Sequence, residues 1–258
     1  MDGKKNYYTS THNNMEIRLD KLLVDRNLVQ NRTMAEEIIR KYGVLVNGKL
    51  FNKIGKKFPE DAEIKLLISD ERWSSIHAQK IIEGISKWKI NVKETSWLEI
   101  GIDACAASEV LLSEGAKQTR CIVEENALVK ERFKDNKQIT IVQTSIRNLN
   151  EQHIPIQVDG MIIDTMTPLE EVLPFITTFL KSNGMAILVI KPQIELDKTK
   201  LNKAGTNAES KHFPFLKLQC IDLGERNQLI YKDFKLSPML GEHSNKEFLG
   251  LFFKKSNE

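Results

Sequence analysis

Two charged residues stand where apolar runs stop. The stretch VDGMIID ends in Asp164, and the run MAILVI ends in Lys191, with Pro192 fixing the turn after it. Strands that are apolar on both faces belong to a parallel sheet covered by helices on both sides. The helix-like segment between the runs, from near Pro168 to Asn183-Gly184, joins them as a parallel crossover. The carboxyl ends of such strands border the crevice in which open α/β sheets bind ligands. Asp164 and Lys191 are therefore expected side by side on one rim. A carboxylate and an amine at the tips of two consecutive strands mark a candidate site rather than two solvated strand ends.

The elements that must position this pair read as follows. Residues 96–100 (SWLEI) form a first strand ended by Gly101, and a helix then runs to about Glu114, stopped by Gly115. Residues 121–124 (CIVE) form a second strand that closes in an acid, and 139–143 form a third. A doubly wound fold holds an adenosine with this order of strand, loop, helix, strand and acid. The loop approaches the ligand through its backbone, and Glu124 accepts both ribose hydroxyl protons. Residues 213–223 read as a helix stopped by Gly224, and 228–236 and 247–253 as strands closing the sheet. Ahead of these, 75–90 reads as a helix with Ile81, Ile82, Ile85 and Trp88 inward. On periodicity alone Lys80 is a lysine of that helix's polar face.

The N-terminal part has a different grain. In RLDKLLVDRNLV, Leu19, Leu22 and Leu23 share one helical face, with Arg18, Lys21 and Arg26 off it. NRTMAEEIIRKYG carries a stripe of Met34, Ala35, Ile38 and Ile39, with Asn31 or Thr33 as possible caps and Gly43 as the stop. Asn47-Gly48 between short apolar runs signals a hairpin, and 63–68 a last strand. Residues 16–68 hold 11 Lys and Arg against 8 Asp and Glu, so this short piece carries the whole net charge of +3. That distribution, rather than the modest total, points to a polyanion partner.

Bulk properties narrow the class. With 41% hydrophobic and 28% charged residues the chain is an ordinary globular one. The three cysteines, Cys105, Cys121 and Cys220, have the spacing of neither a disulfide framework nor a zinc site, and no His/Cys/carboxylate cluster for a metal stands out. Apolar runs of about six residues fall far short of the roughly 20 that span a bilayer, and residues 1–14 are polar. A cytoplasmic protein is expected, divided into a disordered leader over 1–14, a small domain over 15–69, a linker over 70–79 and a large domain over 80–258.

The signature RLDKLLV…NRTMAEEIIRKYGVLVNGK resembles the RNA-binding domain of small ribosomal protein S-four. Together with the large domain, from Arg18 to Phe253, it resembles the TlyA (hemolysin A) proteins, which join an S-four-like module to an FtsJ-like methyltransferase. The resemblance implies an α/β fold: a doubly wound, Rossmann-like methyltransferase sheet with a small N-terminal α+β RNA-binding domain. It implies S-adenosylmethionine as cofactor, ribosomal RNA or ribosomal subunits as partner, and methylation of ribose 2′-hydroxyls. The family's Lys-Asp-Lys-Glu catalytic set falls on Lys80 (SSIHAQKI), Asp164 (DGMIIDTM), Lys191 (IKPQIE, against the family's KPQFE) and Glu247 (SPMLGEHSNKEFL). Cofactor contacts are expected from Gly101, Ile102 and Asp103 of the first loop, from Glu124, from Ser145 within TSIRNL, and from Asp164. RNA contacts are expected from Arg18, Lys21, Arg32, Arg40, Lys41, Lys49 and Lys53.

The sequence departs from the family in its cofactor loop. Where the family reads G-A-S-T-G-G-F, this chain has Gly101-Ile-Asp-Ala-Cys-Ala-Ala107, so two glycines become Cys105 and Ala106 and an acid enters at Asp103. A lost glycine that needed positive φ costs about 1 kcal/mol or more. The family's Ser-Arg-Gly-Gly ahead of the first lysine is Ser75-Ile-His-Ala78 here, and a glycine-rich loop after Glu195 is missing. An altered loop beside an intact catalytic set leaves two readings: a methyltransferase, or an RNA-binding relative that no longer takes the cofactor. The membrane activity in the family's older name finds no basic amphipathic helix to support it.

Overall fold

A computed structural model describes residues 16–29, 32–66, 73, 75, 77–127, 129–202, 208–240 and 245–256. The expected leader over 1–14 lies outside the described residues. The chain divides into two units, 1–66 and 67–258.

The smaller unit holds β1 (Glu16–Arg18), α1 (Leu19–Asp25), α2 (Arg32–Lys41), β2 (Val44–Val46), β3 (Lys49–Phe51), β4 (Lys57–Pro59) and β5 (Ile64–Leu66). Of the stripes, Leu19, Leu22, Leu23, Ala35, Ile38 and Ile39 are buried as their spacing implies, while the Met34 side chain and the cap candidate Asn31 lie outside the described residues. Asn47 and Gly48 both have positive φ, as the hairpin between β2 and β3 requires. Strand β5 pairs with the other edge of β2. Two features were not expected. Strands β1 and β4, three residues each, pair with one another, and Thr33 lies inside α2 rather than capping it.

The larger unit contains α3 (Ala78–Trp88), β6 (Ser96–Gly101), α4 (Ala106–Ser113), β7 (Gln118–Val123), α5 (Glu131–Lys134), β8 (Ile139–Gln143), β9 (Val158–Asp164), α6 (Leu169–Ile176), β10 (Leu180–Ile190), α7 (Pro192–Glu195), α8 (Phe213–Arg226), β11 (Leu229–Leu240) and β12 (Lys246–Lys254). Its seven-stranded sheet has the order β11-β12-β10-β9-β6-β7-β8. Strands β6 to β10 pair in parallel, while β12 runs antiparallel to both β10 and β11. The strand order reverses between β6 and β9, the switch point at which a doubly wound sheet opens a crevice.

Alternation along one strand explains why the runs are apolar throughout. Met161 and Ile163 of β9 pack with Val172, Leu173 and Leu216 of α6 and α8. Ile162 packs on the opposite face with Ile81, Ile85 and Val110 of α3 and α4. Trp97 fills the gap across from Gly160, where a Cβ would come within 2.5 Å of the indole.

Several boundaries differ from expectation. Ala78 and Gln79, assigned to the linker, are already helical, and Trp73 packs on the larger unit's core. The crossover helix ends at Ile176, and β10 begins at Leu180, with a break in register before Met185. Gly224 lies within α8 instead of stopping it, where an added Cβ would come within 2.8 Å of Phe252. Among the described residues no helix is long and apolar enough to cross a membrane.

Candidate active site

Four elements deliver charged side chains to one rim of the larger sheet. Asp164 is the last residue of β9, and Lys191 follows the last residue of β10. Because β12 runs antiparallel, its beginning reaches this rim; Phe248 pairs with Ile190, so Glu247 stands beside Lys191. Lys80 comes from the first turn of α3, which packs on the sheet through Ile81 and Ile85.

The side chains form a chain of alternating charge. Lys191 Nζ contacts Asp164 Oδ1 and donates to the carbonyl of Thr165 at 2.9 Å. Lys80 Nζ lies 3.2 Å from Asp164 Oδ2 and 2.5 Å from Glu247 Oε2. Lys80, Lys191 and Glu247 are 0%, 3% and 1% exposed, so water screens these charges little. Burial pushes the Asp164 carboxyl up, but Lys80 and Lys191 outweigh it and hold it well below the usual carboxylate range. Burial likewise disfavours the Lys80 ammonium, yet Asp164 and Glu247 keep it charged. Lys80 is therefore a fixed cation.

The altered loop has a left-handed residue at one of its replaced positions. Cys105 takes the left-handed conformation, φ 65°, at the start of α4. It is fully buried and turned away from the crevice, where it packs with Cys121, Val123, Phe133 and Ile139. Glu99, in the middle of β6, reaches under the loop and accepts from the backbone N–H groups of Ala107 (3.1 Å) and Ser108 (2.7 Å). The first turn of α4 is thus anchored from below.

Beside this loop lies a cleft of about 190 Å³, walled by Ile100, Ile122 and Ile146 and bordered by Gly101, Glu124 and Thr165. It sits at the switch point, and Cys105 does not line it. Apolar walls suit the faces of a flat ring, and the exposed Glu124 at the mouth suits a diol. The residues present fit an adenosyl cofactor. Of the expected contacts, Gly101, Ile102 and Glu124 line the cleft. Asp103 and Asp164 border a smaller cavity next to it, together with Gly101 and Ile102. Ser145 lines neither; its neighbours Thr144 and Ile146 do so instead.

Residues 17–64 match the family described as S4 domain. A protein of Bacillus subtilis provisionally named rRNA methyltransferase YqxC is 27% identical over 239 residues, covering 90% of this chain and 84% of that one. The Mycobacterium tuberculosis protein named 16S/23S rRNA (cytidine-2′-O)-methyltransferase TlyA is 25% identical over 238 residues, covering 90% and 87%. A solved structure from Streptococcus thermophilus, provisionally called a hemolysin, superposes with a TM-score of 0.66 at 22% identity, covering 93% of this chain and 89% of that one. Over 90% of its length the chain is thus similar to a protein named TlyA, and its residues 17–64 match the S4 domain.

The S4 domain carries a feature with no signal in the sequence. Asp20, fully buried, pairs with Arg32 at 2.7 Å and with Arg18 at 3.0 Å. Burial pushes its carboxyl up, but the two guanidiniums overcome this and hold it down. Two of the seven basic residues expected to contact RNA are thereby fixed in place while still half-exposed or more. Lys21, Arg40, Lys49 and Lys53 are exposed on the same unit. Lys41 ends α2.

Glu195, at the end of the KPQIE turn, is a further residue that the sequence did not single out. Its two carboxylate oxygens both lie 3.2 Å from the N–H of Leu169, the first residue of α6. Burial raises its pKa to about 7 against partial offsets from that N–H and from Lys191. The folded state therefore binds a proton that the unfolded state releases near pH 4.5, and stability falls as pH rises from there to about 7. Glu195→Gln is expected to exceed the wild type in stability by roughly 1–3 kcal/mol at pH 8. Below about pH 4.5 the difference closes. Thermal unfolding at both pH values checks this; equal gains at both would refute it.

Proposed function

We propose that this chain is an S-adenosylmethionine-dependent RNA methyltransferase that modifies ribose 2′-hydroxyls of ribosomal RNA in the cytoplasm. The observation that carries the reading is the buried run Glu247–Lys80–Asp164–Lys191, adjoining a cleft whose walls and mouth suit an adenosine. The relatives named as rRNA methyltransferases over 90% of the chain support it.

Each residue has a distinct task. Gly101, Ile102 and Glu124 hold the adenosyl group, and bound S-adenosylmethionine supplies an electrophilic methyl carbon on a sulfonium. Lys191, once its amine has given its own proton to solvent, holds the ribose hydroxyl oxygen and takes that hydroxyl's proton as the O–C bond forms and the methyl carbon's bond to sulfur breaks, its electron pair staying on sulfur. Asp164, kept ionised, fixes Lys191. Lys80, kept charged, fixes Asp164 and is itself closed off by Glu247. Most of the rate comes from alignment of acceptor oxygen and methyl carbon. The S4 domain supplies phosphate contacts, with Arg18 and Arg32 presented as a braced pair.

The purified chain should transfer labelled methyl groups from S-adenosylmethionine to ribosomal subunits or their RNA. The label should resist alkaline cleavage, because a methylated 2′-oxygen cannot attack the neighbouring phosphodiester. Labelling of bases instead would move the acceptor. No labelling, together with no cofactor binding at millimolar concentration, would leave only an RNA-binding protein.

A further inference from the structure

His77 and Asp103 occupy two positions at which this chain departs from its family, one ahead of Lys80 and one in the cofactor loop. They meet in space. His77 Nε2 lies 3.4 Å from Asp103 Oδ2, and the Ser75 hydroxyl donates to the same carboxylate oxygen at 2.5 Å. The other ring nitrogen, Nδ1, is buried and has no hydrogen-bond partner among the described residues. It faces Asp164 Oδ2 at 3.9 Å.

Burial, and then the charge of Lys80, lower the pKa of the imidazole, against the pull of Asp164, Asp103 and Glu247. In the neutral ring the proton belongs on Nε2, towards Asp103, which leaves Nδ1 as an acceptor. Two acceptors, a ring nitrogen and a carboxylate oxygen, then oppose each other with no hydrogen between them. Beside them is a cavity of about 20 Å³ whose border includes His77, Gly101, Asp103 and Asp164. That is room for one group the size of a water molecule or an ammonium. The local charge agrees. Lys80 and Lys191 are matched by Asp164 and Glu247, while Asp103 meets the neutral ring and the Ser75 hydroxyl and, among the described residues, no lysine or arginine.

We infer that this cavity receives the α-ammonium of the cofactor's amino-acid end, with His77 Nδ1, Asp103 and Asp164 accepting its three N–H groups. The carboxylate of the same end faces away from Asp103, and His77 and Asp103 set specificity for a cationic amine. The inference rests on the cofactor reading above and deepens it.

Calorimetric binding of an analogue series tests it without turnover. S-adenosylhomocysteine and methylthioadenosine share adenosine and a thioether but differ in the amino-acid end. Decarboxylated S-adenosylmethionine keeps the amine and loses the carboxylate. The homocysteine compound should bind at least tenfold more tightly than methylthioadenosine, and decarboxylated S-adenosylmethionine within about threefold of S-adenosylmethionine. Asp103→Asn and His77→Phe should each shrink the first ratio to under threefold. Circular dichroism should show both variants folded, and affinity for methylthioadenosine should be unchanged. Equal binding of the two thioethers would overturn the inference and leave the cofactor reading intact. So would a tenfold loss on decarboxylation, or variants that keep the full ratio. If none of the four compounds binds, the cofactor reading itself fails.

Discussion

Lys80→Met lowers the melting temperature of the larger unit by roughly 6–20 °C. Removing this amine strands Asp164 and Glu247, two carboxylates it holds at 3.2 and 2.5 Å in a site where the lysine itself is fully buried. Breaking a buried pair by deleting one partner costs roughly 3–5 kcal/mol, because the remaining charge is left uncompensated. For a unit of this size each kcal/mol moves the midpoint by about 2–4 °C. The double variant Lys80→Met with Glu247→Gln should recover part of the loss, since only Asp164 then remains and Lys191 still faces it. Thermal unfolding of the single and double variants measures this directly. A single variant that melts with the wild type would show that the four charges are not energetically linked.

Lys191→Met has its largest effect on turnover. Methyl transfer should fall by about 10³-fold, in the range that general acid–base groups supply. Binding of S-adenosylmethionine should change by less than about threefold, because Lys191 does not line the adenosine cleft. The fall therefore appears in kcat rather than in cofactor affinity. Lys191→Arg should not rescue, since a guanidinium cannot give up its proton at accessible pH. Single-turnover rates with ribosomal RNA, beside calorimetric Kd values, separate the two quantities. Turnover within tenfold of the wild type in Lys191→Met would remove Lys191 from the chemistry.

The sequence made some of this site legible and hid the rest for physical reasons. Asp164 and Lys191 stand out because an apolar run that stops at a charge marks a strand tip, and neighbouring tips share a rim. Glu247 could not be found that way. Its strand runs antiparallel, so the informative residue lies at the beginning of the run. Lys80 was invisible to helical periodicity: it occupies the buried face that Ala78, Ile81 and Ile85 define, and only the resemblance pointed to it. Glu99 and Asp20 are acids inside apolar patterns, and such patterns do not say which acids have partners. His77 and Asp103 are 26 positions apart in the chain, and only the folded sheet brings them together. In the smaller domain, two-turn helical stripes and the Asn47-Gly48 hairpin were strong local signals, whereas three-residue strands such as β1 and β4 are too short to carry a period.

The anchoring of the loop after β6 by Glu99 has a consequence for how that loop can vary. A turn held from beneath by a carboxylate does not owe its path to the residues on top of it. Substitution there can run far, even to a cysteine in a backbone conformation that glycine would take more easily, while the path persists. Glycine content alone therefore says little about whether this loop can hold its path. What holds it here is the acid two places before Gly101.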